Sequence, residues 1–334
     1  MESPCPLTSR RMKVVGGLTA GLFLLLAGCG GQAPGQMSGS QQSPKARVAP
    51  AGPPTIPGAT YVGNEMCKGC HEDQFKQIDA SLHGRVLGDR GRTDIQRHGC
   101  ESCHGPGSKH LEDQANPAYN IRYGPKSGLS ATDRNAVCLQ CHQQGKRLFW
   151  AGSQHEVRDV SCNTCHSVHS PRSLNAQLQA VDQLTLCRQC HATSVAVQMS
   201  WSHMPVREGK LQCSSCHNVH GTITEKLIPE NSINENCYRC HVEKRGPFLW
   251  EHPPARESCL NCHRPHGTNN IRLLKIREPR LCQQCHNENR HPSTAFAGGT
   301  NEPTADRRFL GRSCALCHTN IHGSNHPSGF AFTR

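Results

Sequence analysis

The pentapeptide Cys-x-x-Cys-His occurs ten times in this 334-residue chain, and the repetition decides most of what the chain can become. The first five copies place Cys67, Cys70 and His71; Cys100, Cys103 and His104; Cys138, Cys141 and His142; Cys162, Cys165 and His166; and Cys187, Cys190 and His191. The second five place Cys213, Cys216 and His217; Cys237, Cys240 and His241; Cys259, Cys262 and His263; Cys282, Cys285 and His286; and Cys314, Cys317 and His318. Each copy has the form of a c-type haem attachment site. If the pentapeptide folds as a helical turn, positions i, i+3 and i+4 share one face. Two thiols then reach the porphyrin vinyl groups while the imidazole meets the iron from the same side.

Paired Cys-x-x-Cys units also build structural zinc sites, but a zinc ribbon has no use for a histidine after every pair. The motifs take twenty of the 22 cysteines, which leaves almost nothing for a disulfide framework. The expected cofactors are ten covalently attached haem c groups. Their twenty thioether bonds would use the motif cysteines, and the ten motif histidines would be proximal ligands.

Composition points the same way. Aromatic residues make up 4% of the chain and mean hydropathy is −0.62, values near those of chains that stay disordered. The missing apolar surface must come from the haems. The predicted fold is therefore mostly irregular with short α-helices: an elongated multihaem cytochrome c organised by ten covalent haems, without a sizeable hydrophobic core. The formal charge of +12 does not imply nucleic acid as a partner, since ten haems bring roughly twenty propionate charges.

The first 28 residues read as a lipoprotein signal peptide: Arg10, Arg11 and Lys13 precede an apolar run through Leu26 that ends in Leu26-Ala27-Gly28-Cys29. This resembles a bacterial lipobox, with Cys29 as the lipidated mature terminus, and Met12 is an alternative start. Residues 29–60 are expected to form a disordered Gly/Pro/Ser/Gln tether. Gly30 after the lipid cysteine favours the outer membrane, with the protein on the periplasmic side or in a porin lumen. Residues 61–334 form the decahaem domain, which can be divided into pentahaem halves at about 61–200 and 201–334. First cysteines recur every 22 to 38 residues, as in a serial array. Ser232 before Cys237 and Asp182 before Cys187 are expected helix caps. Pro171, Pro205, Pro229, Pro253, Pro265 and Pro292 are expected to interrupt helices.

Whether such haems conduct or catalyse depends on the sixth iron position, because two strong axial ligands leave only electron transfer. Twelve histidines lie outside the motifs, enough for every iron. His169, His220 and His266 follow a motif histidine by three residues, and His322 by four, a spacing that lets them reach a neighbouring iron. His83, His110, His155, His203, His252 and His291 lie in linkers. These ten, with His326 competing with His322 for one role, are the candidate distal ligands; His98 is the expected bystander. No motif carries lysine in place of histidine, which counts against a reductase.

Beyond the motifs, Lys244-Arg245-Gly246-Pro247 leading to Trp250-Glu251-His252, Leu281-Cys282-Gln283-Gln284-Cys285-His286, and His322-Gly323-Ser324-Asn325-His326-Pro327-Ser328-Gly329 resemble the MtrA/DmsE family of decahaem cytochromes. The resemblance spans about Tyr61 to Arg334. It implies an electron carrier rather than an enzyme, seated in an outer-membrane β-barrel porin and passing electrons between periplasmic cytochromes and an extracellular cytochrome, metal or mineral. Cys29 departs from the family's ordinary cleavable leader. The rival readings are a multihaem reductase of a small oxyanion such as nitrite, which needs an open iron, and a haem filament subunit.

Overall fold

The computed structural model describes residues 52–124, 127–200, 206, 208–286, 312–327 and 329–333. Cys29, His203, His291, Pro205 and Pro292 lie outside them, as does most of the expected tether.

All ten pentapeptides close as helical turns. In every one the histidine N–H donates to the carbonyl of the first cysteine, at 2.8–3.1 Å, from His71 on Cys67 to His318 on Cys314. This is the α-helical i to i−4 bond, and it fixes the shared face that haem attachment requires. The turns are continued only briefly. The helix Ala131–Leu139, nine residues long, is the longest among the described residues, and most others span four to eight. Isolated helices of this length are marginal in water, so tertiary packing must hold them.

The expected caps form. Asp182 accepts from the Thr185 N–H at 2.6 Å and starts the helix Gln183–Arg188, while Ser232 accepts from Glu235 at 3.1 Å and starts Ile233–Tyr238. Pro253 begins the helix Pro253–Glu257 instead of interrupting one, because its fixed φ suits the first turn, where a missing N–H costs nothing. The one two-stranded sheet among the described residues pairs Trp250 with Ser324 and Glu251 with Gly323, antiparallel.

Buried apolar side chains are small and dispersed: Ile56, Ile121, Ala131, Ala136, Val137, Trp150, Leu178, Ala180, Val195 and Leu274. Leu174, Leu249, Ile223 and Phe330 are largely exposed. Among the described residues no single apolar core joins the motifs, so this part of the polypeptide is organised by polar contacts and by what the motifs hold. The expected tether gains order before residue 60. Ile56 is buried, and Thr60 and Ser108 exchange hydrogen bonds of 2.8 and 3.2 Å. The buried Glu101 carboxylate accepts from the N–H groups of Val62, Gly63 and Gly107 at 2.8–2.9 Å, tying the segment's end to the second motif.

A candidate multihaem centre

The motifs, numbered one to ten along the chain, meet in strict alternation. The first cysteines of motifs one and two, Cys67 and Cys100, lie side by side, and the interaction of their thiols drives Cys67 up and Cys100 down to about 7. The same pairing joins Cys138 with Cys162, Cys187 with Cys213, Cys237 with Cys259, and Cys282 with Cys314. Between these pairs the second cysteines approach closely enough for one thiolate to raise its neighbour: Cys103 beside Cys141, Cys165 beside Cys190, Cys216 beside Cys240, and Cys262 beside Cys285. Consecutive motifs are therefore neighbours from motif one to motif ten, alternately through their first and their second cysteines.

Polar latches hold the close pairs. The N–H of Cys100 donates to Asn64 Oδ1 at 2.9 Å, that of Cys162 to Asn135 at 2.7 Å, and that of Cys259 to Asn234 at 2.8 Å. In the remaining pairs the side chain starts one residue earlier and is one carbon longer. Gln183 accepts from Ser214 at 3.0 Å, and Glu278 accepts from Ala315 at 3.2 Å and from the Ser313 hydroxyl. Gly99 is required by the first latch: at φ 59° a Cβ there would sit 2.1 Å from Asn64 Oδ1. These five residues were not anticipated as part of the site. The signal was present, since asparagine stands three residues before the first cysteine of motifs one, three and seven.

Histidines come together as facing pairs. Ring centroids lie 5.9–6.3 Å apart in His71–His110, His83–His142, His104–His169, His155–His191, His166–His220, His217–His266, His252–His286 and His263–His322. Two metal–nitrogen bonds of about 2 Å, on rings whose nitrogens lie about 1 Å from their centres, require a separation of about 6 Å. The rings are too far apart to touch and correctly spaced for one iron between them.

Each pair joins one motif histidine to one non-motif histidine; His110, which serves motif one, follows the neighbouring motif two, and the other seven pairs reach past a neighbouring motif. Motifs two, four, six and eight use the histidine that follows the motif two places later. Motifs three, five and nine use the linker histidine preceding the motif immediately before them. Of the two competing histidines, His322 faces His263, whereas the His326 backbone N–H donates to Ser324 Oγ at 3.0 Å. His98 stacks flat on Tyr61, centroids 3.6 Å apart and planes 6° apart, with no room for an iron.

The ring nitrogens also suit metal binding. Nδ1 of His104, His166, His217, His263 and His318 lies 2.5–2.9 Å from the carbonyls of Ile121, Ala176, Lys226, Arg272 and Ala331. A proton on Nδ1 leaves Nε2 as the lone pair for iron and raises its basicity. Burial, with smaller repulsion from nearby His166 and Arg147, pulls His220 down to about 4. Burial likewise lowers His322 to about 4, helped by Lys244. Both stay neutral at physiological pH, the form that ligates. Nδ1 of His110 and His220 is buried without a protein partner, an orphan that strong axial coordination could compensate.

Thiol pairs on helical turns, each with an adjoining imidazole, are what covalent haem c needs, and the paired rings fit its iron. The geometry thus defines the class as multihaem c-type cytochromes, which are electron carriers. Two family models match within the chain: the doubled CXXCH motif over residues 203–246 and 252–291, and the cytochrome c-type protein NrfB-like model over residues 100–187. The multiheme cytochrome MtrA of Shewanella baltica is 42% identical over 272 residues, covering 80% of both chains. The cytochrome c-type protein NrfB of Haemophilus influenzae is 27% identical over an alignment of 146 residues that covers 38% of this chain and 64% of that protein. The chain belongs to the MtrA family of multihaem cytochromes.

Proposed function

We propose that this protein carries ten bis-histidine haems and conducts electrons across the outer membrane, between periplasmic carriers and an extracellular partner, within a β-barrel porin. The observation that carries the reading is the set of eight facing imidazole pairs, each spaced for one iron, distributed along an array of neighbouring motifs. Bound haem supplies a one-electron ferric/ferrous couple at each motif. The chain's residues do the rest. Paired cysteines fix each attachment point, the latches hold consecutive motifs together, and facing imidazoles close both axial positions against outside ligands.

Extending the two-motif stride assigns His203 to His241, and the remaining linker histidine, His291, to His318. Lipid on Cys29 would tether the mature chain to the membrane. No helix of the described residues is long and apolar enough to cross a bilayer. A polar array with propionate-bearing cofactors would need a sheath to pass hydrocarbon, which is the physical case for a barrel partner.

The test reconstitutes the full-length holoprotein, with its co-purified barrel, into vesicles holding a reduced dye, and adds an impermeant ferric acceptor outside. Dye oxidation that requires both proteins is the expected result. Mass spectrometry should show ten haems, and low-temperature EPR only low-spin iron. A high-spin signal that responds to nitrite would turn the assignment toward a reductase.

A further inference from the structure

The proximal histidines are of two kinds. Those of motifs two, four, six, eight and ten are half-buried and face a backbone carbonyl across Nδ1. His71, His142 and His191, of motifs one, three and five, are exposed and meet no carbonyl among the described residues.

At motifs four, six and eight the carbonyl is delivered by one recurring device. Ala176-Gln177, Lys226-Leu227 and Arg272-Leu273 are consecutive non-glycine residues in the left-handed region, with φ between 50° and 59°. The first carbonyl of each pair faces the proximal Nδ1, at 2.7, 2.8 and 2.9 Å. The second accepts from the N–H of the residue after that histidine, Ser167, Asn218 or Arg264, at 2.8 Å each time. Residues with a Cβ avoid this conformation, so three copies at matching positions mark a requirement imposed by what the carbonyls contact.

We infer that these left-handed pairs are tuning devices, which hold the irons of motifs four, six and eight at lower reduction potential than those of motifs one and three. The inference rests on the bis-histidine reading above. An imidazole whose Nδ1 proton is held by a carbonyl is a stronger electron donor through Nε2, and a stronger donor favours ferric iron. Motif five receives its carbonyl on the opposite ring, since His155 Nδ1 lies 2.8 Å from the Val219 oxygen, so it belongs with the carbonyl-supported group although no left-handed pair delivers it. Nδ1 of His110, the ring facing His71, has no hydrogen-bond partner among the described residues, which leaves motif one without carbonyl support on either ring among them.

The test compares Lys226→Val with Lys226→Gly, and Arg272→Val with Arg272→Gly, in the full-length holoprotein. Valine resists the left-handed region and should swing the carbonyl away; glycine adopts it freely. In a spectroscopic redox titration, each valine variant should move a component with about one tenth of the haem absorbance to higher potential, while each glycine variant should overlay the unmodified protein. Valine titrations that overlay the unmodified protein at both positions, or that match their glycine counterparts, overturn the inference. Haem count by mass and low-spin EPR are read separately. Their failure would defeat the ligation reading, whereas intact values with unmoved titrations defeat the tuning alone.

Discussion

Odd and even motifs share one pentapeptide and sit in different surroundings. From motif two onward, an even motif meets the preceding odd one through first cysteines and the following odd one through second cysteines. Its histidine is half-buried and held by a carbonyl, and from motif two to motif eight its partner ring comes from beyond the motif two places later. An odd motif's histidine is exposed. In motifs three, five and nine its partner ring comes from upstream. The structural repeat is thus two motifs, not one. Binding partners two motifs away weaves successive units together, which a protein without a continuous core needs more than most.

This comparison can be broken most severely by emptying one motif. Replacing Cys162 and Cys165 with alanine should remove one haem, read as a single haem's loss in mass, and abolish end-to-end conduction, because every link of the array is in series. The reverse change, at a terminal motif such as Cys67 and Cys70, should remove a haem while leaving the other links intact. End-to-end conduction that survives the emptying of motif four would contradict serial order.

A smaller effect is expected at a facing ring. His220→Met should keep haem four attached and low-spin but raise its potential, since thioether is the weaker donor to ferric iron; a sulphur-to-iron absorption band would report the exchange. Loss of low-spin character at that haem alone would still support pairing with His166, whereas a change at haem six, which its own sequence position suggests, would refute it.

The latches sharpen the contrast further. Asn135→Ala leaves the Cys162 N–H without its acceptor in a buried setting and should cost about 1–3 kcal/mol in guanidinium unfolding of the holoprotein. Asn64→Ala, at a half-buried position, should cost less. The smallest expected effect is at His98. His98→Ala removes a stacked ring that faces no other histidine, and stability should change by no more than about 0.5 kcal/mol, with haem count and EPR unchanged.

Much of this was legible in the residues. The pentapeptide is a local chemical unit whose i, i+3, i+4 spacing fixes its own geometry, so all ten turns and their helical bonds follow from it. Low aromatic content and mean hydropathy already ruled out an ordinary core, and the Asp182 and Ser232 caps act within three residues of themselves. His98 was separable as the odd histidine by its place two residues before a motif. The latch asparagines were readable in principle at motifs one, three and seven, but Gln183 and Glu278 break the letter pattern while keeping its function through a longer side chain.

What only the tertiary structure decided is which groups meet across the chain. The facing of His322 and His263, the reach of the histidine pairs past a neighbouring motif, and the alternation of neighbouring cysteines depend on how far each linker carries the chain in space. The carbonyls of Ala176, Lys226 and Arg272 are invisible to side-chain reading altogether, because a backbone oxygen has no letter and its direction is set by φ and ψ. The local sequence determined that haem c could attach at these ten places; packing between distant segments determined which histidine rings face one another and which motifs are neighbours.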